Sequence, residues 1–205
     1  METKETAAAY DALAAHWNDD QFNRENGIAQ HLRAIRFCQS KDKAIDIGCG
    51  SSGRIIDLLL EAGFCVEGLD ISAEMIRLAR LRHPAVAFHQ ADILDFELTS
   101  SYSFISAWDS VWHVPLDRQE QMLRKLCAGL KQGGVLITSS GGIDQPDEAT
   151  NPFMGRPLYH SALGIPKVLE VISSAGCVCR HLEYDQPEGD DPGRHLYLIV
   201  QKMGG

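Results

Sequence analysis

The chain has 205 residues, a formal net charge of −9 and 44% apolar side chains. That is enough for one domain burying about 70% of its unfolded surface, and no apolar run approaches the ~20 residues of a membrane span. The acid excess disfavours a nucleic-acid backbone as partner, which needs a basic surface, although Arg77, Arg80 and Arg82 make a local basic stretch.

Residues Met1 to Ala9 lack a basic segment followed by an apolar core, so no secretory signal is expected. Tyr10, Leu13, Ala14 and Trp17 share one face of a predicted helix that also carries His16. Asn18 to Asn26 is polar and loop-like, and a second helix is predicted from about Gly27 to Cys38, with Ile28, Leu32, Ile35 and Phe37 apolar. For Tyr10, His16 and Trp17, packing of a cap helix onto the domain is favoured over ligand contact.

Ala44, Ile45 and Ile47 then end a short apolar run, as a buried parallel strand does. The stretch Lys43 to Gly53 reads Lys-Ala-Ile-Asp-Ile-Gly-Cys-Gly-Ser-Ser-Gly and leads into the helical run Arg54 to Leu60. Its glycines permit unusual backbone angles and let a ligand lie against the main chain. The helix is expected to open at Ser51 or Ser52 with free N–H groups facing the turn, which suits a carboxylate or phosphate. The spacing equals the dinucleotide fingerprint G-x-G-x-x-G, but Asp46 stands where a dinucleotide site usually has an apolar residue.

Phe64 to Leu69 reads as the second strand, ending at Asp70, 22 residues after Gly48. An acid there accepts hydrogen bonds from both ribose hydroxyls of an adenosine, whatever chemistry the ligand carries. Ser72 caps a helix through Arg82, and Ile71 and Met75 are candidates to flank an adenine. Val86 to Gln90 is the third strand, followed by Ala91-Asp92-Ile93; Tyr102 to Trp108 is the fourth, followed by Asp109-Ser-Val-Trp-His-Val-Pro115. Asp117, with Glu120 three residues on, is expected to cap a helix whose buried face is Met122, Leu123, Leu126 and Leu130. That helix is expected to end at Lys131-Gln-Gly-Gly134 on a left-handed glycine, ahead of the fifth strand. Gly141 to Ile165 is Gly/Pro-rich without a period and reads as a lid or a disordered loop; Arg156, Tyr159 and His160 within it are candidates for variable substrate contacts. Pro166 starts the last helix and Gly176 ends it. Cys177 to Tyr184 and Leu196 to Gln201 read as two terminal strands joined by Asp185 to His195.

Asp46-Ile-Gly-Cys-Gly-Ser-Ser-Gly53 closely resembles the first motif of the class I S-adenosylmethionine-dependent methyltransferases. Leu130-Lys-Gln-Gly-Gly-Val-Leu136 resembles the Leu-Lys-Pro-Gly-Gly-x-Leu motif of that family, with Gln132 in place of the proline. Asp92 matches the acid of its second motif, and His113 the histidine of its post-strand segment. The resemblance runs from about Ala44 to Lys202, in the manner of small-molecule enzymes with a methyltransferase 11/25-like domain. It implies an α/β fold: a Rossmann-like three-layer sandwich with a seven-stranded, mostly parallel sheet and a C-terminal antiparallel hairpin. The whole chain, 1–205, is then one domain, with 1–40 a helical N-terminal cap, 41–205 the core and 141–165 a substrate lid. The implied activity is methyl transfer from S-adenosyl-L-methionine to a small-molecule acceptor, leaving S-adenosylhomocysteine.

The resemblance assigns the cofactor to Asp46, Gly48, Cys49, Gly50, Ser51 and Gly53 at the turn, to Asp70, Ile71 and Met75 at the ribose and adenine, to Asp92 and Ile93 at the adenine, and to Trp108 and Asp109 near the methionine end. A general base is needed only if the acceptor arrives protonated; His113, Tyr159 and His160 are the candidates, with a structural role favoured for His113. Asn151-Pro152-Phe153 is similar to a motif of amino-group methyltransferases of nucleic acid, but it follows the wrong strand and lacks the second proline. The six cysteines form no C-x-x-C pair and the eight histidines no ligand spacing, so reduced thiols, a cytoplasmic protein and no metal are expected. A monomer or homodimer, with no nucleic-acid and no membrane partner, completes the expectation. An NAD(P)-dependent oxidoreductase is disfavoured by Asp46, Asp92, the terminal hairpin and the absence of a Tyr-x-x-x-Lys pair. A non-catalytic module that binds S-adenosylmethionine has the same cofactor motifs and is separated only by turnover.

Overall fold

A computed structural model describes residues 3–14, 23–98, 101–153, 155–185 and 195–204. Helix α1 (Thr3–Leu13) and helix α2 (Ile28–Ile35) precede the alternating units β1 (Lys43–Ile47), α3 (Arg54–Glu61), β2 (Cys65–Asp70), α4 (Ala73–Arg82), β3 (Ala87–Gln90) and β4 (Tyr102–Ala107). After a 3-10 turn at Val111–His113 come α5 (Leu116–Gly129), β5 (Leu130–Gly141), a hairpin of β6 (Asp147–Phe153) and β7 (Arg156–Ala162), α6 (Ile165–Ser174), β8 (Cys177–Tyr184) and β9 (His195–Lys202). The main sheet has seven strands in the order β3-β2-β1-β4-β5-β9-β8. The first five are parallel, and β9 runs antiparallel to both β5 and β8. The Rossmann-like three-layer architecture and terminal hairpin expected from sequence are present.

The two-residue period of the strands divides the core. Ile45, Ile105, Leu136 and Leu198 face the layer of α5 and α6. Ala44, Phe104, Val135 and Ile199 face the layer of α2, α3 and α4. Asp46 and Ser106 are register partners on neighbouring strands and share the second face, which is why Ser106 can stand between Asp46 and His31 of α2. On α2 the buried residues are His31 and Ala34, while Leu32 is 47% exposed. Of the apolar residues expected there, Ile28, Ile35 and Phe37 pack against this core and Leu32 does not; the inward position beside it is taken by His31, which has two internal partners.

Other boundaries depart from expectation for identifiable reasons. Helix α3 begins at Arg54, not at a serine, because Gly53 at its N-terminal boundary is left-handed (φ +70). Helix α5 has no side-chain cap from Asp117; Pro115 occupies the cap position and the Leu116 N–H donates instead to the Tyr159 hydroxyl at 3.0 Å. It also ends earlier, at Gly129. Gly133, the left-handed residue (φ +73), lies in a bulge where the β4–β5 register jumps from Tyr102↔Leu130 to Phe104↔Val135. The stretch expected to be an irregular lid contains the β6–β7 hairpin, with pairing from Asp147↔Ala162 to Phe153↔Arg156. The predicted helix positions His16 and Trp17 lie outside the described residues. All six cysteines are free thiols. Among the described residues no helix is long and apolar enough to cross a membrane.

Candidate functional site

The order of the sheet reverses between β1 and β4, and a crevice forms outside the carboxyl ends of the strands at such a point. A cavity of about 390 Å3 lies there, lined by the turns after β1, β2, β3 and β4, by Thr6 and Tyr10 of α1 and by Leu158 and His160 of β7.

The glycine turn forms its floor. Gly48 (φ +72) and Gly50 (φ +56) are left-handed. The Gly48 and Cys49 N–H groups both donate to the Leu69 carbonyl, at 2.7 and 3.1 Å, and the Gly50 N–H donates to Asp70 Oδ2 at 2.9 Å. The free N–H cradle expected at this turn is thus largely committed internally, and what the turn presents at Gly48 and Gly50 is main chain without side chains. Gly53 does not reach the cavity: a β-carbon there would stand 2.5 Å from His83 Cε1, so it serves packing of α3 on the end of α4. Ser51 is fully buried and likewise absent from the lining.

Asp70, Ile71 and Met75 line the cavity, as do Asp92 and Ile93. The carboxylate of Asp70 is held rigidly, since its second oxygen accepts from the Ser72 N–H at 2.9 Å. Burial raises its pKa against the pull of the Ser72 and Gly50 N–H groups. Each carboxylate oxygen retains a lone-pair site beyond these bonds, so the pair can still take two hydroxyls. Asp92 Oδ1 is fixed by the Leu94 N–H at 2.9 Å. Ser72 caps α4 through its own hydroxyl, 3.1 Å from the Met75 N–H, and donates to Asp11 Oδ1 at 2.6 Å, which clips α1 over this end of the cavity.

Trp108 is buried, packed edge-on against His31, and lines the cavity beside Asp109. Asp109 is the sole non-glycine residue with positive φ (+52) among those described, a conformation that costs of order 1–3 kcal/mol. It is held there by its N–H on Ser139 Oγ (2.7 Å), by Asn26 Nδ2 on Oδ2 (3.1 Å) and by His195 Nε2 at Oδ1 (2.8 Å). The other nitrogen of His195 meets Asp185. Burial alone pulls His195 down, but the two carboxylates outweigh it and leave its pKa raised.

Asp46 does not line the cavity but lies beneath it. His31 Nδ1 faces the Gly27 carbonyl (2.6 Å) and so carries a proton, while Ser106 Oγ lies 3.0 Å from His31 Nε2 and 2.7 Å from Asp46 Oδ1. One hydroxyl proton cannot serve both of the last two contacts, so this chain holds one further proton. Burial decides where: it drives Asp46 up to about 6 and His31 down to about 4, favouring a neutral imidazole and a protonated carboxyl.

Because Asp46 is raised above its unfolded value of 3.8, the stability it contributes is full below about pH 4 and lost as pH rises to about 6. A displacement of that size is worth up to roughly 3 kcal/mol. Asp46→Asn stays neutral and keeps a polar amide against Ser106, so it is expected to remove this decline. Urea denaturation of both proteins from about pH 4 to 7 checks it. The variant should gain on the wild type by about 2–3 kcal/mol toward neutrality, at ~1.4 kcal/mol for each tenfold difference in proton affinity between the folded and unfolded chains. A constant difference would count against the shared proton.

The remaining wall is aromatic. His113 and His160 line it with ring centroids 4.9 Å apart, and Trp112 lies 6.1 Å from His160. Gln119 Nε2 clamps the Val111 and Val114 carbonyls, at 2.8 and 3.2 Å, and so fixes the turn that carries His113. Tyr159, a candidate base from sequence, is not part of this wall: its hydroxyl takes the Leu116 N–H and donates to Glu148, so it holds the start of α5. Sequence reasoning missed Thr6, Asn26, Arg54 and Leu158, and read Tyr10 as packing; all five line the cavity. Arg54 follows directly on the glycine motif, and its Nε donates to the Asn26 carbonyl at 2.9 Å.

A family model described as a methyltransferase domain matches residues 44–134. The chain is 27% identical over 135 residues to dTDP-3-amino-3,6-dideoxy-alpha-D-glucopyranose N,N-dimethyltransferase of Streptomyces fradiae, covering 65% of this chain and 52% of that protein. It is 28% identical over 178 residues to malonyl-(acyl-carrier protein) O-methyltransferase of Enterobacter lignolyticus, covering 80% and 68%. The chain spans about half the length of most curated relatives it matches, 52% of the first. Among solved structures it resembles 1,6-didemethyltoxoflavin-N1-methyltransferase of Burkholderia thailandensis with a TM-score of 0.72 at 16% identity, over 98% of this chain and 87% of that one. The fold is that of the class I S-adenosylmethionine-dependent methyltransferases.

Proposed function

We propose that this chain, which carries a methyltransferase domain on the class I fold, transfers a methyl group from S-adenosyl-L-methionine to a small-molecule acceptor. The observation that carries this reading is the joint placement of Gly48, Gly50, Asp70 and Asp92 along one cavity whose opposite wall is aromatic. A β-carbon at Gly48 would lie 2.2 Å from Ser110 Cβ, so the turn tolerates no side chain where the methionine portion would lie. Asp70 would take the ribose hydroxyls, Asp92 with Ile93 the adenine, and Asp109 the methionine amino group. When bound, the cofactor supplies a methyl carbon already activated by its positive sulfur. The protein's part is to bind, to align the acceptor and to exclude water. Helix α1 and the β6–β7 hairpin supply that closure, and the hairpin within 141–165 acts as a lid. Free thiols throughout support a cytoplasmic protein, as a monomer or homodimer.

Titration calorimetry with S-adenosylmethionine, S-adenosylhomocysteine and NAD tests the reading. Binding of the first two and none of NAD is expected, and preference for NAD would overturn it. Release of S-adenosylhomocysteine over an acceptor panel separates an enzyme from a binding module.

A further inference from the structure

The proton positions around His113 follow from what each neighbour can do. The Tyr159 carbonyl only accepts, so His113 Nδ1, 2.6 Å away, carries a proton. The Trp112 indole N–H only donates, at 3.1 Å, to Nε2. Nε2 is therefore a bare lone pair, and the Tyr10 hydroxyl 2.7 Å from it donates to it as well. Burial holds this neutral form, driving His113 down to about 4. Burial, then the charges of Asp70 and Asp109, push the Tyr10 phenol well above its usual range. Tyr10 is thus a poor base by itself. It is well placed to accept a proton on its oxygen while passing its own to His113 Nε2.

The charges around the cavity restrict what arrives there. Among the described residues lining it, the only lysine or arginine is Arg54, tied at the glycine turn to the Asn26 carbonyl and Ser52 Oγ. Asp70, Asp92 and Asp109 also line it. An anionic acceptor beside Tyr10 would meet two of these carboxylates, and His195, the imidazole of raised pKa that packs on Trp112, is already held between Asp109 and Asp185. A weakly basic imidazole also restricts the acceptor's acidity: it takes a proton from a phenol, whose pKa is near ~10, far more readily than from an aliphatic alcohol.

We propose that the acceptor is a neutral aromatic compound with a phenolic hydroxyl, seated against Trp112 and His160 with that hydroxyl on Tyr10 Oη. This rests on the methyltransferase reading. The acceptor oxygen bonds to the methyl carbon, and the electron pair of the broken carbon–sulfur bond stays on sulfur. The phenolic proton passes to Tyr10 Oη as the Tyr10 proton passes to His113 Nε2. A positive sulfonium is exchanged for a positive imidazolium, so the net charge of the cavity is unchanged. Tyr10 touches the acceptor, and His113 acts through it.

The test uses the full chain, labelled S-adenosylmethionine and four probes: 4-methylphenol, 4-nitrophenol, citrate and ethanolamine. Turnover of 4-methylphenol is expected, with little of 4-nitrophenol and none of citrate or ethanolamine. Tyr10→Phe should lower turnover of 4-methylphenol about a hundredfold. 4-Nitrophenol, ionised slightly above neutral pH, should be turned over at least about tenfold less well than 4-methylphenol by the wild type, because its phenolate would face Asp70 and Asp109. Calorimetric affinity for S-adenosylhomocysteine should not change in this variant. Trp112→Leu provides a second readout, with affinity of 4-methylphenol for the S-adenosylhomocysteine complex falling about tenfold. An unchanged kcat for 4-methylphenol in Tyr10→Phe would overturn the role of Tyr10, and 4-nitrophenol turned over as well as 4-methylphenol would overturn the restriction to neutral acceptors. Cofactor binding with turnover of citrate alone, or of no phenol, would overturn the acceptor class and leave the methyltransferase reading standing. Failure to bind the cofactor at all would overturn that reading first.

Discussion

Gly48→Ala is expected to lower the unfolding free energy by about 3 kcal/mol and to abolish measurable cofactor binding. Two costs add. The backbone at Gly48 is left-handed (φ +72), which costs a residue with a β-carbon roughly 1–2 kcal/mol. The new β-carbon would also stand 2.2 Å from Ser110 Cβ and 2.8 Å from its Oγ. Ser110 cannot simply turn away, because its hydroxyl donates to the Ile47 carbonyl at 2.8 Å and it leads into the turn that carries His113. Overpacking of this kind costs roughly 1–3 kcal/mol. Gly63→Ala is the internal control: it shares the left-handed backbone (φ +93) but a β-carbon there meets nothing within 4 Å. Urea denaturation of both variants isolates the clash as their difference, and equal losses would show that the turn has room for a side chain.

The same turn shows what the sequence made legible. Features that depend on neighbours in the chain could be read directly: the glycine bend, the acid closing β2, the serine that caps α4 and the alternation of buried strands. Their causes are local, namely φ angles, a hydroxyl three residues from an N–H, and a two-residue period. What escaped depends on partners far along the chain. His31 is buried only because Ser106 lies 75 residues away in sequence at 3.0 Å, and no helical period signals that. Asp117 looks like a cap, but a tyrosine 43 residues from Leu116 takes the exposed N–H. Tyr10 and Thr6 reach the cavity because α1 is clipped to α4 through Asp11 and Ser72. The β6–β7 hairpin, Asp147–Phe153 with Arg156–Ala162, carries no alternation of apolar residues in its first strand, so composition alone reads it as a loop. Asp109, strained and bonded to His195, is assembled from residues 86 apart.

Asp70→Ala should weaken binding of S-adenosylhomocysteine by about 1–3 kcal/mol, roughly tenfold to a hundredfold, since two ribose hydroxyls would lose their acceptor in a desolvated site. The position also has a structural task, because its two oxygens join the glycine turn at Gly50 to the start of α4 at Ser72, each at 2.9 Å. The two contributions separate when affinity and stability are measured on the same variants. Asp70→Asn keeps the shape and one accepting oxygen, but sets an amide N–H against the N–H of Gly50 or of Ser72. It should therefore disturb the turn while retaining part of the ribose contact. If Asp70→Ala lowers affinity beyond its loss of unfolding free energy, the carboxylate binds ligand directly. If stability falls and calorimetric affinity stays unchanged, Asp70 is a brace alone, the adenosine lies elsewhere, and the placement of the acceptor against Tyr10 falls with it.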